Sequence, residues 1–273
     1  MTIASQHADA GQHIQARANA ALWAQAVRVR DYDHRNLRPV EVMLLVRYRE
    51  HFRRRVLELG CGAGRLTGYL YDLAEEVQGI DVSPAMVAHC RASYPRATFN
   101  EGDVRDLSGL ASGSFDAVLA PYNLIDVLDE QERPRVLEEV GRLLSPSGLL
   151  VFSSHNLAFA PLIARPTHVR WCHPRQAVGD IVRMPRRWRN HRRLVRHERM
   201  AGEWAILNDT AHDFSVLHHY VSREFEQRQL VAVGLHLLEC LDLDGRRLMP
   251  GDNAPNCPEL HYVVQRTGSV DQE

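Results

Sequence analysis

The stretch VLELGCGAGRLTGYL, Val56 to Leu70, constrains the fold of this chain more than any other. An apolar run leads into Glu58, glycines occupy positions 60, 62 and 64, and a helical pattern starts at once. A strand that ends in bare backbone leaves no Cβ between its amides and a ligand. The helix that follows favours a partly negative group at its N-terminus. Such a loop makes room for a ligand.

The flanking sequence extends that pattern. RVLEL, EVQGID, ATFNEGD, FDAVLAP and GLLVFSS read as short apolar strands. Helical stretches from Gly64, from Pro84 and from Asp129 to Leu144 lie between them. Alternation of this kind predicts a parallel sheet covered on both faces. The expected fold is α/β, a doubly wound, Rossmann-like seven-stranded sheet. Four parts follow. Residues 1–54 form an N-terminal helical arm, with Pro39 at a first turn and an apolar stripe at Val42, Leu45 and Val46. Residues 55–154 form the core. Residues 155–221 break the rhythm and are too long for a plain loop, so they predict an inserted cap after the fifth strand, with EWAILND and DFSVLHHYVS as strands. Residues 222–273 complete the sheet, beginning with a helix capped by Ser222 and ended by Gly234.

Composition narrows the function. In 273 residues no apolar run reaches the ~18 needed to span a membrane, and the N-terminus has no cationic start before an apolar stretch. A cytoplasmic protein with no membrane partner is expected. Five scattered cysteines without a CxxC pair read as free thiols. All 33 basic residues are arginine, which excludes lysine chemistry, and the formal net charge of −1 gives no overall bias toward nucleic acid.

Alone, the three glycines suit several ligands. Their neighbours narrow the choice. Glu58, inside the first strand, needs a cationic partner if buried. Asp81 ends the second strand in GIDVSPAM, where a carboxylate can take both hydroxyls of a ribose. Asp103 ends the third in NEGDVRDL, and FDAVLAPYNLIDVL ends the fourth in a polar, aromatic elbow. In order and spacing, from about Arg55 to Ser154, these motifs resemble the class I S-adenosylmethionine-dependent methyltransferases of small-molecule type. The resemblance implies the cofactor S-adenosylmethionine. It implies that Gly60, Cys61 and Gly62 pass under the methionine part and that Glu58 holds its amino group. Asp81 would bind the ribose, with Val82 and Met86 against the adenine. Asp103 would face the adenine amine, with Val104 backing the ring. Ala120, Pro121 and Tyr122 would close over the sulfonium. Tyr32, in RDYDHRNLRP, resembles a lid residue of the same family.

A methyl group on a sulfonium is already activated, so the protein must mainly align a nucleophile and exclude water. A protonated nucleophile needs a base, and histidine suits it. His155 follows the fifth strand, and strand C-termini face the ligand crevice in such sheets. DTAHDFSVLHHYVS offers His218, His219 and Tyr220; as a strand it would put His218 and Tyr220 on one face with Phe214 and Val216, and His219 on the other. Asp126 is a further candidate. No metal is expected, because His168, Cys172 and His173 lack a second cluster at ligand spacing.

Eleven arginines between Arg165 and Arg199 face only Asp180 and Glu198. Two readings stand: a solvated helix face with Trp188 and Val195 on one apolar edge, or a polyanion site with Trp171 and Trp188. The expected function is methyl transfer from S-adenosylmethionine to N or O of a small metabolite in biosynthesis, with an anionic acceptor among the options. Other chemistry on the same cofactor, cyclisation or aminobutyryl transfer releasing methylthioadenosine, is the alternative. RNA methylation and a non-enzymatic S-adenosylmethionine-binding protein come after it.

Overall fold

In the computed structural model, which describes residues 36–266, the apolar runs become the strands of one mixed sheet. Tyr32 and the Ala-rich stretch before it lie outside the described residues. The core alternates β1 (Arg55–Leu59), α2 (Thr67–Leu73), β2 (Glu76–Asp81), α3 (Pro84–Ser93), β3 (Thr98–Glu101), β4 (Phe115–Ala120), α4 (Glu132–Leu143) and β5 (Leu144–Asn156), preceded by α1 (Pro39–Arg47). After the cap come α6 (Arg223–Ala232), β9 (Leu235–Leu241) and β10 (Glu259–Arg266). The order β3-β2-β1-β4-β5 is parallel, and β10 and then β9 follow antiparallel. These seven strands form the expected doubly wound sheet.

Alternation across the strands places a core on each face. Leu57, Leu59, Val118 and Ala120 point to one side with Val136, Leu137 and Val140 of α4. Val56, Ala117 and Leu119 point to the other with Leu44 of α1 and Leu70 of α2. The expected apolar stripe of α1 is rotated. Val42 and Val46 are exposed, while Val40, Glu41 and Leu44 are buried. Glu41 turns inward because its carboxylate receives both ends of the Arg65 guanidinium, at 2.6 and 2.8 Å. The two charges, both buried, satisfy each other.

The cap, comprising α5 (Pro174–Leu194), β6 (Arg199–Met200), β7 (Trp204–Leu207) and β8 (His218–Val221), is part of the same sheet. Pairing of β4 with β5 stops at Ala120 opposite Phe152; β8 then takes up β5, with Tyr220 opposite His155 and Val221 opposite Asn156. On its other edge β5 pairs with β10 as far as His155 opposite Glu259. The core strand therefore runs to Asn156, two residues beyond the expected boundary, because new partners appear where β4 ends. The strand read through Phe214 and Val216 starts only at His218. His212, Asp213 and Phe214 have φ of 49°, 58° and 61°, which breaks any extended run.

Arg133 locks these parts together from a position with no exposed surface. One end of its guanidinium reaches Asp126 at 2.5 Å and the other reaches Glu226 of α6 at 2.5 Å. Substituting Arg133→Met leaves two buried carboxylates without a cation, and denaturant unfolding should show a loss of about 3–5 kcal/mol. Substituting Val42→Ala, on the exposed side of α1, should change stability by under ~0.5 kcal/mol in the same assay.

Candidate active site

At the C-terminal ends of β1, β2, β4 and β5 lies a cavity of about 560 Å³. The glycine loop forms one wall. Gly60 and Gly62 have φ of 63° and 53°, a region that side chains with a Cβ adopt at a cost. At Gly60 a Cβ would come 2.8 Å from the Leu124 side chain, whereas at Gly62 it would meet nothing within 4 Å. The loop is held by the next strand. Asp81 accepts hydrogen bonds from the amides of Gly62 and Ser83, both at 2.8 Å. Burial raises its carboxyl above the usual range despite these bonds.

Glu58 is buried at the floor, with the Thr67 hydroxyl donating to it. Burial pushes its pKa up to about 8, since one hydroxyl and the nearby Arg65 only partly offset the lost solvent. Of the residues singled out in the sequence, Glu58, Gly60, Cys61, Gly62, Asp81, Val82, Met86, Asp103, Val104, Pro121 and Tyr122 line the cavity. Asp103 stands two residues past β3 and shares its carboxylate with Arg105 at 3.1 Å. The hydrogen bond with Cys90 and burial raise the Cys61 thiol well above its ordinary value, so it is no nucleophile. Ala120 is buried in the core and does not line the cavity.

The opposite wall was only partly legible. His155 and His218 line it; Tyr220 and His219 do not. His155 Nδ1 lies 2.7 Å from Asp126 Oδ2, and its backbone amide donates to the same oxygen at 2.6 Å. Burial opposes the charge of Asp126, but the bond from His155 and the Arg133 cation hold the carboxyl below its usual range. An ionised carboxylate accepts, so Nδ1 carries the proton and Nε2 is left as an acceptor, 3.2 Å from Asn123 Nδ2. Beside it, Asp209 accepts from His218 Nδ1 and from the Tyr220 hydroxyl, each at 2.8 Å. Burial disfavours a charged His218, and Asp209 outweighs it, raising the His218 pKa. The rings of His155 and His218 stack with centroids 4.8 Å apart.

His219 points the other way, as the strand alternation required. It packs on Trp204 with both ring nitrogens unpartnered, and burial lowers its pKa to about 3. A neutral imidazole behind the strand cannot serve the cavity. Among the described residues, His155, Asp209 and His218 each bring one ligand atom within 4.8 Å of the others, a set that could hold a metal ion. His218 Nδ1 already donates to Asp209 within this group. This grouping differs from the His168, Cys172 and His173 group weighed in the sequence.

Sequence reasoning missed Asn123, Asp209, Arg38 and Glu259. Asn123 follows Tyr122 in the elbow, and both take left-handed φ of 55°. Arg38 pairs with Glu259, and Arg38 and Arg65 lie over the Tyr122 ring at 4.8 and 4.1 Å. Asp209 stands two residues past the WAIL strand as the D of ND, the one signal that could have marked it.

Residues 56–148 match the family model described as a methyltransferase domain. Over that segment the chain is similar to methyltransferase domains. A probable S-adenosylmethionine-dependent methyltransferase of Mycolicibacterium smegmatis is 36% identical over 124 residues, 45% of this chain and 46% of that protein. The ubiquinone biosynthesis O-methyltransferase of Xanthomonas oryzae is 32% identical over 128 residues, 44% of this chain and 52% of that protein. The chain thus spans about half the length of the curated relatives it matches. Among solved structures, a 1,6-didemethyltoxoflavin-N1-methyltransferase of Burkholderia thailandensis superposes with a TM-score of 0.58 at 15% identity, covering 94% of this chain and 90% of that one. A methyltransferase of Clostridium acetobutylicum gives 0.59 at 12% identity, covering 92% and 99%. At these identities the shared property is the fold alone.

The glycine loop yields a direct test. Gly62→Ala places a methyl group in open cavity space, and its positive φ costs roughly 1–2 kcal/mol. Gly60→Val adds a contact with Leu124 to the same backbone cost. Both variants should keep a folded circular dichroism spectrum and lose nucleoside binding in calorimetry. Normal binding by Gly62→Ala would mean that the ligand does not approach this amide.

Proposed function

We propose that the protein transfers a methyl group from S-adenosylmethionine to a nitrogen or oxygen of a small metabolite. The observation that carries this reading is the convergence of Glu58, the Gly60–Gly62 backbone, Asp81 and His155 on one cavity. The residues fit the cofactor. Glu58 is a buried acid short of partners, suited to an ammonium group. Asp81 has both oxygens set by backbone amides at the cavity wall, suited to a ribose diol. Val82, Met86 and Val104 offer an apolar slot for the base, with Asp103 at its rim. When bound, S-adenosylmethionine supplies a methyl group activated by its positive sulfonium.

The remaining chemistry belongs to the chain. Nε2 of His155 takes the proton that the acceptor loses, and Asp126 stabilises the imidazolium that results. Arg133 and the Ser154 hydroxyl, 2.7 Å from Asp126 Oδ1, keep that carboxylate in place. His218 and Tyr220, fixed on Asp209, hold the His155 ring between a stacked and a tilted neighbour, and His218 faces the acceptor. An acceptor of biosynthetic type fits this polar wall. No helix among the described residues is long and apolar enough to cross a membrane.

The reading predicts coupled proton release. With a pKa of about 8, Glu58 is neutral below that pH in the free protein. An ammonium docking on it favours the ionised form, so binding at pH 7 should release about one proton, and above pH 9 close to none. Calorimetry in buffers of different ionisation enthalpy measures this directly. Glu58→Gln should abolish the release and weaken binding roughly tenfold or more.

His155→Ala should lower turnover about 10²–10⁴-fold and leave cofactor affinity nearly unchanged, because the ribose and adenine contacts sit on other strands. S-adenosylhomocysteine is the expected product. Methylthioadenosine would instead mean that the aminobutyrate group had moved, and would end the methyl-transfer reading.

A further inference from the structure

The cap helix α5 has two apolar sides, and only one of them is used by the fold. Inward, Ala177, Asp180 and Leu194 are buried. Arg170 and Arg187 bind Asp180 at 2.8 and 2.9 Å, Arg187 also binds Asp213 at 3.1 Å, and the Asn190 amide donates to the Asp213 carbonyl at 2.9 Å. Arg187 is therefore part of the helix anchor, not of a free charged surface.

Outward, Val178, Ile181, Val182 and Trp188 are 63%, 47%, 73% and 50% exposed, and Trp171 in the preceding turn is 74% exposed. Positions 178, 181, 182, 185 and 188 fall on one helical face by their spacing of three and four. Four large apolar side chains left in water on one helix, with Trp171 in the turn before it, are more than scattered surface hydrophobics. Exposed arginines flank and interrupt the stripe at 175, 183, 186, 189, 192 and 193. Arg175, Arg189, Arg192 and Arg193 form no ion pair with another described residue, and Arg192 lies 4.5 Å over the Trp188 ring. The only acid of the helix, Asp180, is turned inward. The whole chain carries a formal charge of −1, so this positive charge is local to one face.

We propose that α5 is a surface anchor for an anionic lipid bilayer, lying in the interface with Val178, Ile181, Val182 and Trp188 toward the acyl chains. An aliphatic stripe rimmed by arginines matches acyl chains beneath anionic headgroups. A nucleic acid offers the phosphates but nothing for Val178, Ile181 and Val182. A second copy of the chain would set the same arginines against each other with no exposed acid on the helix to relieve them. No helix among the described residues is long and apolar enough to span a bilayer, but lying on one requires none. This assignment is independent of the transfer reaction.

The test uses the full-length protein and vesicles, without cofactor. Flotation with phosphatidylcholine vesicles, with and without roughly 30 mol% phosphatidylglycerol, should show binding roughly tenfold or more tighter to the anionic set, weakening as salt rises. Ile181→Asp with Val182→Asp should abolish it. Arg189→Gln, Arg192→Gln and Arg193→Gln together should weaken it roughly tenfold or more. Both variants alter exposed side chains only, so thermal melts should match the parent protein. Three results would overturn the proposal: no binding to either vesicle at low salt; binding that the aspartate pair leaves intact; or, with no vesicle binding, a dimer in solution that the aspartate pair dissociates. Tight tRNA binding unaffected by the aspartate pair, with vesicles ignored, would transfer the arginines to nucleic acid.

Discussion

Asp126 has no surface exposed to water, yet it is charged. Its two oxygens receive the His155 amide and imidazole, the Ser154 hydroxyl and the Arg133 guanidinium, all between 2.5 and 2.7 Å. A buried carboxylate is tolerated only when such donors replace its hydration. Four donors from β5 and α4 must therefore be in register before the ion is stable. Arg133 carries the demand onward to Glu226 in α6, the first helix after the cap. The same contacts that make the ion affordable fix the tautomer and the angle of His155. Folding of the sheet and orientation of the candidate base are one event.

The cofactor half of the site was legible because its signals are local. Each of Glu58, Gly60, Gly62, Asp81 and Asp103 stands at or near the end of a strand, and strand ends can be read from apolar runs and glycines. The acceptor half was not, because its contacts cross the chain. Asp126 and His155 are 29 positions apart and Asn123 and Glu259 are 136 apart, and no spacing rule links them. His218 and His219 show the intermediate case. Strand alternation separated their faces from sequence, but only the structure showed that the cavity face belongs to His218. For α1 the apolar pattern itself misled, since the Arg65 partner that draws Glu41 inward lies 24 residues away.

Backbone strain collects around the same cavity. Tyr122 and Asn123 share a left-handed elbow on one side, and His212 begins a second left-handed run on the other. Non-glycine residues in that region cost of order 1–3 kcal/mol each and persist only where neighbours hold them. The holders are visible. The Asn123 amide donates to the Ser153 hydroxyl at 2.8 Å, and the Asn208 side chain donates to the carbonyls of Phe214 and Val216 at 3.0 and 2.6 Å. Such strain gives the walls a defined shape before any ligand arrives, which suits a reaction that depends on alignment more than on covalent machinery.

The way the cap is attached has a consequence for how such a protein can vary. A cap joined only by loops could shift against the core and carry its polar groups with it. Here β8 hydrogen-bonds to the last two residues of β5, so His218 and Tyr220 are registered against His155 by backbone pairing. Changes in α5 or in the turn after β7 can reshape the acceptor's surroundings while His155 stays on Asp126. The outer face of α5 is freer still, because Asp180, Arg187 and Asn190 hold the helix from the inner side. The glycine loop has no such freedom. Its amide at Gly62 is tied to Asp81, and a side chain there would project into the space a ligand needs. Constraint thus falls from the β1–β2 edge toward the cap, and the residues readable from sequence lie at the constrained end.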